Sequence, residues 1–474
     1  MRMRGELTLK VLGVKPDSIW GDETETAVYA YALGPKKAVV FRFLLSLNEI
    51  PTSLPRRIVN CYHGREVSGK EFTFEDRATM RKAIWHAVAE VWGSCNAKKV
   101  TLGPGIVVDI IQEQLGNLRW FPFQDPLFDV YLDLLRNVQS SDLIAHDESP
   151  RIVDISQIAP RETMGGRGCC KRVRLHEGPY QCSTFIFKGV DFHTYMQVYD
   201  EDMEFARAMV ETWRRSSKLI ANMTPHPNIQ SPPKILVSVR DSRNNSVLVG
   251  HLSTFLERGD LGVVIAAANS SRSRISLRQK AKWCYQMSLA LAHTHGVMHT
   301  FHMDIKPGNF LVDDDKSLRL IDWERSGAPA STLAPEADGT WDVAEQETTG
   351  EEGSKRLVYT KYTGPERRNM PEGGGQESFN IWNVFPEWQA SCPRASELAE
   401  VFALGRTMWM LLSQTVDCFD EIEHPNDVQV TWGNESDIPS HWIREVEKCM
   451  ERDPNERPLL RDLVEFWEVE VASF

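Results

Sequence analysis

The sequence predicts an α+β fold built in parts, and three observations carry that reading. Short β-branched and aromatic runs come first, up to Tyr62. Long helical periodicities dominate the second half. Between them, the stretch from His302 to Glu324 sets polar residues on both sides of a short apolar strand. It brings Asp304, Lys306 and Asn309 within six positions of one another and Asp322 a little further on.

Length and composition bound the rest. A chain of 474 residues accommodates two domains or three. Hydrophobic content of 42% with 25% charge is ordinary for a soluble globular protein. A net charge of −12 argues against a nucleic-acid partner. The first ten residues contain no long apolar core, so no secretory signal is expected. No uncharged apolar run approaches the roughly 18 residues of a membrane span. The 9 cysteines include no chelating pair, since Cys169 and Cys170 are adjacent. An odd count without a signal predicts reduced thiols and an intracellular location, cytoplasmic or nuclear.

Residues 1–150 read as one α+β domain. Strands are expected at Glu6–Val14, Thr26–Leu33, Ala38–Leu47 and Arg57–Tyr62. A helix is expected over Thr73–Trp92, where Met80, Ile84, Ala87 and Val91 recur at helical spacing. A second helix is expected over Pro126–Val138. His63-Gly-Arg and Gly103-Pro-Gly-Ile read as turns, and the polar Ser140–Arg151 as a linker.

Residues 155–474 follow a different order. Gly166-Arg-Gly168 precedes Val173, and Phe185-Ile-Phe-Lys188 follows. A helix from Asp202 to Met223 ends at Pro225-His-Pro-Asn-Ile229. The strand Ser246–Gly250 leads to the turn Glu257-Arg-Gly-Asp-Leu261. A long helix from Leu277 to His293 then leads to Asp304. Tyr362-Thr-Gly-Pro-Glu366, the apolar helix Glu400–Leu412 and Asp453-Pro-Asn-Glu-Arg-Pro458 complete the series. The order and wording of these segments resemble the eukaryotic protein-kinase superfamily, in particular divergent fungal serine/threonine kinases.

The resemblance implies a two-lobed fold, a small β-rich lobe at about 155–256 and a helical lobe at about 257–474, preceded by the N-terminal domain. It implies ATP and Mg2+ as cofactors and a protein substrate. By the same resemblance, Asp304 accepts the proton of the attacking hydroxyl and Lys306 steadies the moving phosphoryl group. Asn309 and Asp322 hold magnesium, and Lys188 binds the α- and β-phosphates. Gly166 and Gly168 cradle the phosphates, while Val173, Ile186 and Leu311 wall the adenine. Arg457 is expected to pair with Glu366. Lys306 and the Pro-Glu and Arg-Pro motifs favour a protein substrate over the aminoglycoside or choline class.

The pattern also departs from the family. Lys171 replaces the third glycine and offers a cation to phosphate. Ile186 replaces an alanine and narrows the pocket. The lysine's helix partner is open between Glu204 and Glu211. Met303 replaces the arginine that receives an activating phosphate, leaving Arg325 or Lys361 as substitutes. Glu336–Glu352, acidic and without Lys or Arg, reads as a solvated insert. These departures keep a non-catalytic pseudokinase scaffold as the alternative to an enzyme.

Overall fold

The computed structural model describes residues 10–11, 19–20, 27–33, 38–44, 104–112, 117–140, 150–165, 170–175, 183–199, 203–325, 327–347, 355–364, 384–416, 425–433 and 437–474, with isolated positions elsewhere. The chain divides into two compact units. One joins residues 1–214 with 233–255; the other joins 215–232 with 256–474.

The first unit contains two six-stranded sheets. In the N-terminal sheet, β1 (Lys10–Val11), β3 (Ala27–Leu33), β4 (Ala38–Leu44), β5 (Ile106–Gln112) and β6 (Leu118–Gln124) lie in that order, and β2 (Ile19–Trp20) pairs with β3. The strands β3 and β4 were expected from their β-branched and aromatic runs; β5 and β6 were not. In β5 the apolar run is broken by Asp109, which meets Arg42 directly across the parallel β4–β5 pair. The guanidinium grips that carboxylate with two bonds, of 2.6 and 2.9 Å. In β6, Pro122 is tolerated because the strand is at the sheet edge. The strand expected at Arg57–Tyr62 lies outside the described residues. The described positions of the Thr73–Trp92 run are helical, with Ala87, Val88 and Val91 buried.

Helix α1 (Leu127–Leu135) buries Phe128, Tyr131, Leu132 and Leu135 on one face. The second sheet runs β7 (Arg151–Asp154), β11 (Ile235–Arg240), β12 (Ser246–Thr254), β10 (Thr184–Gly189), β9 (Cys170–Leu175), β8 (Ile158–Gly165). Helices α2 (Phe192–Tyr199) and α3 (Met203–Ala221) follow β10.

The second unit is helical. Helices α4 (Leu261–Ser270), α5 (Leu277–Gly296), α7 (Pro393–Ser413), α8 (Ser440–Cys449) and α9 (Leu460–Ala472) share one core, and α6 (Val384–Ser391) packs with the first half of α7 in a second. Helix α7 is the axis of the unit, and every residue from Leu398 to Leu412 is buried. Gly405 lets α8 come close: a Cβ there would stand 2.6 Å from Cys449 Cβ. Two hairpins complete the unit, β13 (Phe310–Val312) with β14 (Leu318–Leu320), and β15 (Trp341–Glu347) with β16 (Lys355–Lys361). Of the expected solvated insert at Glu336–Glu352, Glu336 and Ala337 lie in a buried turn, whereas Trp341–Glu347 form strand β15 and are mostly exposed; residues 348–352 lie outside the described residues. Among the described residues no helix is long and apolar enough to cross a membrane.

Candidate active site

The hairpin β13–β14 explains why Asn309 and Asp322 come together. Phe310 pairs with Leu320, and one step further out the Ile321 amide donates to the Asn309 carbonyl at 2.9 Å. Asn309 and Asp322 thus leave the same end of one hairpin. Asp322 takes φ +68°, a left-handed conformation that Asp tolerates better than most residues.

The loop before the hairpin is tied down from several sides. Asn309 Nδ2 donates to the Asp304 carbonyl at 2.7 Å. His302 Nε2 lies 2.7 Å from the Ile321 carbonyl, and the Asp304 amide donates to His302 Nδ1 at 3.3 Å. Those two bonds require the neutral ring with its proton on Nε2. Burial lowers the His302 pKa, outweighing the nearby Glu400 carboxylate, which agrees with that state. The ring also meets Trp323 edge-on at 4.6 Å.

Met303 takes φ +77°, which costs a side-chain-bearing residue about 1–2 kcal/mol. Glu400, on the buried axis helix α7, holds it there. Glu400 Oε1 accepts the amides of His302, at 2.8 Å, and of Met303. Its Oε2 lies 2.6 Å from His295 Nε2. Burial pushes the Glu400 carboxyl up, but His295, His302 and the Met303 amide together outweigh it, and the net shift is downward. Arg325 fastens the front of the loop. It donates to Thr300 Oγ1 and, at 3.0 and 3.2 Å, to the Phe301 carbonyl, and it lies 3.9 Å over the Phe301 ring. Burial brings its pKa down to about 10. Its expected use as a phosphate receptor is replaced by these bonds.

At the centre, Asp304 is 4% exposed. Its Oδ2 accepts Lys306 Nζ at 2.7 Å, while its Oδ1 is buried with no hydrogen-bond partner. A buried acceptor left open beside a lysine and an asparagine is the mark of a site awaiting a donor. Leu311, on β13, is only partly buried.

The closing ion pair is not the expected one. Arg457 makes two bonds to Glu336, Nη2 to Oε2 at 3.0 Å, and also bonds the Leu398 and Glu451 carbonyls. Ala334-Pro335-Glu336 therefore fills the role expected of Tyr362-Thr-Gly-Pro-Glu366, and Glu366 itself lies outside the described residues. The segment from Asp322 shortens from 366 − 322 = 44 residues to 336 − 322 = 14. Within it Ser331 and Thr332 are 3% and 0% exposed. The hairpin β15–β16 comes after it. Asn455 bonds the Leu357 amide and carbonyl at 2.8 and 3.0 Å and docks the hairpin on the Arg457 loop.

Lys188 stands in the other unit, on β10. Directly opposed residues share a sheet face. Lys188 faces Cys170 on β9 and His251 on β12, and Ile186 faces Arg172 and Ser253. Val173 faces Phe185 and is 1% exposed, so it lies on the opposite, buried face. Val173 as an adenine wall beside Ile186 is thus corrected: the β9–β10 register is one residue out from that assignment, and Arg172 takes the place. Its guanidinium lies 4.4 Å over Phe255. Lys171 shares the buried face with Val173. It binds Asp191 and, at 3.1 Å, Thr194, so its expected contact with phosphate is corrected too. His251 is 2% exposed, and burial, helped by the Lys188 charge, lowers its pKa to about 3. Glu211 holds Arg214 at 3.0 Å on its own helix. Gly166 and Gly168 lie outside the described residues.

Among the described residues no cluster of three or more His, Cys, Asp or Glu could hold a metal on its own. A site with one carboxylate and one amide suits magnesium, which keeps waters and phosphate oxygens as its other ligands.

A buried helix axis carrying a pinned loop, closed by an Arg–Glu lock, is the arrangement that the sequence resemblance implies. Comparison agrees: residues 198–342 match the protein kinase domain family. Serine/threonine-protein kinase CHK1 of Saccharomyces cerevisiae is 28% identical over 191 residues, 40% of this chain and 31% of the relative. The match spans about a third of that relative's length. These two matches support a divergent eukaryotic protein kinase.

Proposed function

We propose that the chain transfers the γ-phosphoryl group of Mg-ATP to serine or threonine hydroxyls of protein substrates inside the cell. The observation that carries this is the open, buried Oδ1 of Asp304 beside Lys306 and Asn309. ATP supplies the phosphoryl group, and Mg2+ neutralises its charge.

Asp304 accepts the proton of the attacking hydroxyl at Oδ1 while Lys306 holds the carboxylate in place through Oδ2. Asn309 commits its amide nitrogen to the loop, which leaves its oxygen for magnesium; Asp322 would supply a carboxylate. Lys188 would hold the α- and β-phosphates and Gly166 and Gly168 would approach them, with Ile186 and Leu311 against the base. The similarity to a serine/threonine kinase favours those hydroxyls.

The test is phosphoamino-acid analysis after incubating the full chain with Mg-ATP and mixed protein substrates. Label on phosphoserine and phosphothreonine is expected. Label confined to tyrosine, or to small hydroxyl compounds, would overturn the reading.

A further inference from the structure

Helix α1 joins the N-terminal domain to the strand that carries Lys188. On one side it is seated against the turn at Pro104-Gly105. Gly105 has φ +79°, and a Cβ there would stand 2.4 Å from Phe128 Cγ. On the other side its aromatic rings interlock with α2. Phe128 meets Phe192 edge-on at 5.0 Å, and Tyr131 lies 5.6 Å from Phe192 and 5.2 Å from Tyr195. Tyr131 is 1% exposed, and its hydroxyl donates to the Val190 carbonyl at 2.7 Å.

Val190 is two residues beyond Lys188 and is itself 0% exposed. Its neighbour Asp191 binds Lys171 of β9 and accepts the Thr194 amide, at 2.8 Å, in the first turn of α2. One hydroxyl from the N-terminal domain therefore fixes the joint where the lysine strand ends and the helices begin. Without it a buried carbonyl has lost its donor, and the joint relaxes to find another.

We propose that α1 is a built-in strut for nucleotide binding, with Tyr131 as a positioning residue that holds the Lys188 strand through Val190. Affinity for Mg-ATP then depends on residues 1–150. This rests on the reading of Lys188 as the phosphate-binding lysine. The N-terminal domain is, on this account, a fixed support for the catalytic domain.

The test uses the full chain and Tyr131→Phe, which keeps the ring and removes only the hydroxyl. Mg-ATP binding by calorimetry should weaken about five-fold, the scale of one lost hydrogen bond. KM for ATP should rise with kcat little changed. Amide hydrogen exchange over residues 184–199 should quicken. Arg42→Met, which breaks the ion pair with Asp109 in the same domain without touching α1, should leave all three readings alone. Unchanged exchange over 184–199 in Tyr131→Phe, with Mg-ATP still bound normally, would overturn the strut and leave the kinase reading standing. An equal effect from Arg42→Met would overturn it as well, since the coupling would then be general loosening. Absence of Mg-ATP binding by the unmodified chain would overturn both.

Discussion

The loop around Asp304 and the strand bearing Lys188 are held in different ways. The loop is fixed by side chains of its own unit: the buried Glu400, the half-buried Arg325 and the amide of Asn309. The strand is fixed by its neighbours in the sheet and by the Tyr131 hydroxyl on α1. Buried ionic bonds to a helix axis make the loop geometry insensitive to what happens elsewhere. A strand held partly from outside can be tuned by whatever holds it. On the proposed reading, the proton-accepting centre is held within its own unit, and the phosphate-binding strand leans on Tyr131 as well.

The largest effect should come from the lock that closes the helical unit. Glu336→Ala leaves the Arg457 guanidinium buried and unpaired, and should cost about 3–5 kcal/mol in urea unfolding. A Glu366 partnership would put that loss on Glu366→Ala instead, so the two variants side by side decide which Pro-Glu is the lock.

Next in size is acid sensitivity in the strand's unit. The His251 pKa is about 3 folded against a usual 6.5. Between those values the unfolded chain takes up a proton that the folded chain refuses. Stability should therefore be full above pH 6.5 and fall with pH, by up to about 1.4 kcal/mol per unit. His251→Leu should flatten that slope in melting curves recorded from pH 7 to 4; an unchanged slope would mean the ring finds a proton-holding partner.

Smaller again is the effect of Ile186→Ala. The sequence alone suggested that Ile186 narrows the pocket, so that trimming it would help ATP. Its cross-strand neighbours are the small Ser253 on β12 and Arg172 on β9, whose guanidinium lies over Phe255. Trimming should leave a gap and weaken Mg-ATP binding by a few-fold, each buried methylene being worth roughly 0.8 kcal/mol. Tighter binding in the titration would restore the narrowed pocket. The smallest effect expected is none. Ser331 and Thr332 are buried and Arg325 is engaged through Nε and Nη2 with Thr300 and Phe301, so phosphatase treatment should leave the transfer rate unchanged. A large drop would point to a phosphate site elsewhere in the chain.

How much of this was legible in the sequence follows the range of the forces involved. The loop from His302 to Asn309 and the helices read at Leu277–His293 and Glu400–Leu412, observed as Leu277–Gly296 and Pro393–Ser413, were readable because spacing and apolar runs are local. Strand β5 was not, because Asp109 makes sense only once Arg42, far away in sequence, lies beside it. The face of Val173 was not, because one residue of register reverses it and nothing local sets that register. The Ala334-Pro335-Glu336 triplet was present to be read. It was passed over for a second Pro-Glu, although only the first lies a short step from Asp322. The hold of Tyr131 on Val190 had no sequence signal, since a buried tyrosine's partner depends on tertiary contact alone.

The most direct measurement is the rate of phosphoryl transfer from Mg-ATP to protein by the full chain, compared with Asp304→Asn. The account predicts measurable turnover that falls about 10²–10⁴-fold in the variant, the usual contribution of a positioned general base, with Mg-ATP binding retained. Equal background rates in the two proteins would contradict it and leave a kinase fold that serves as a scaffold.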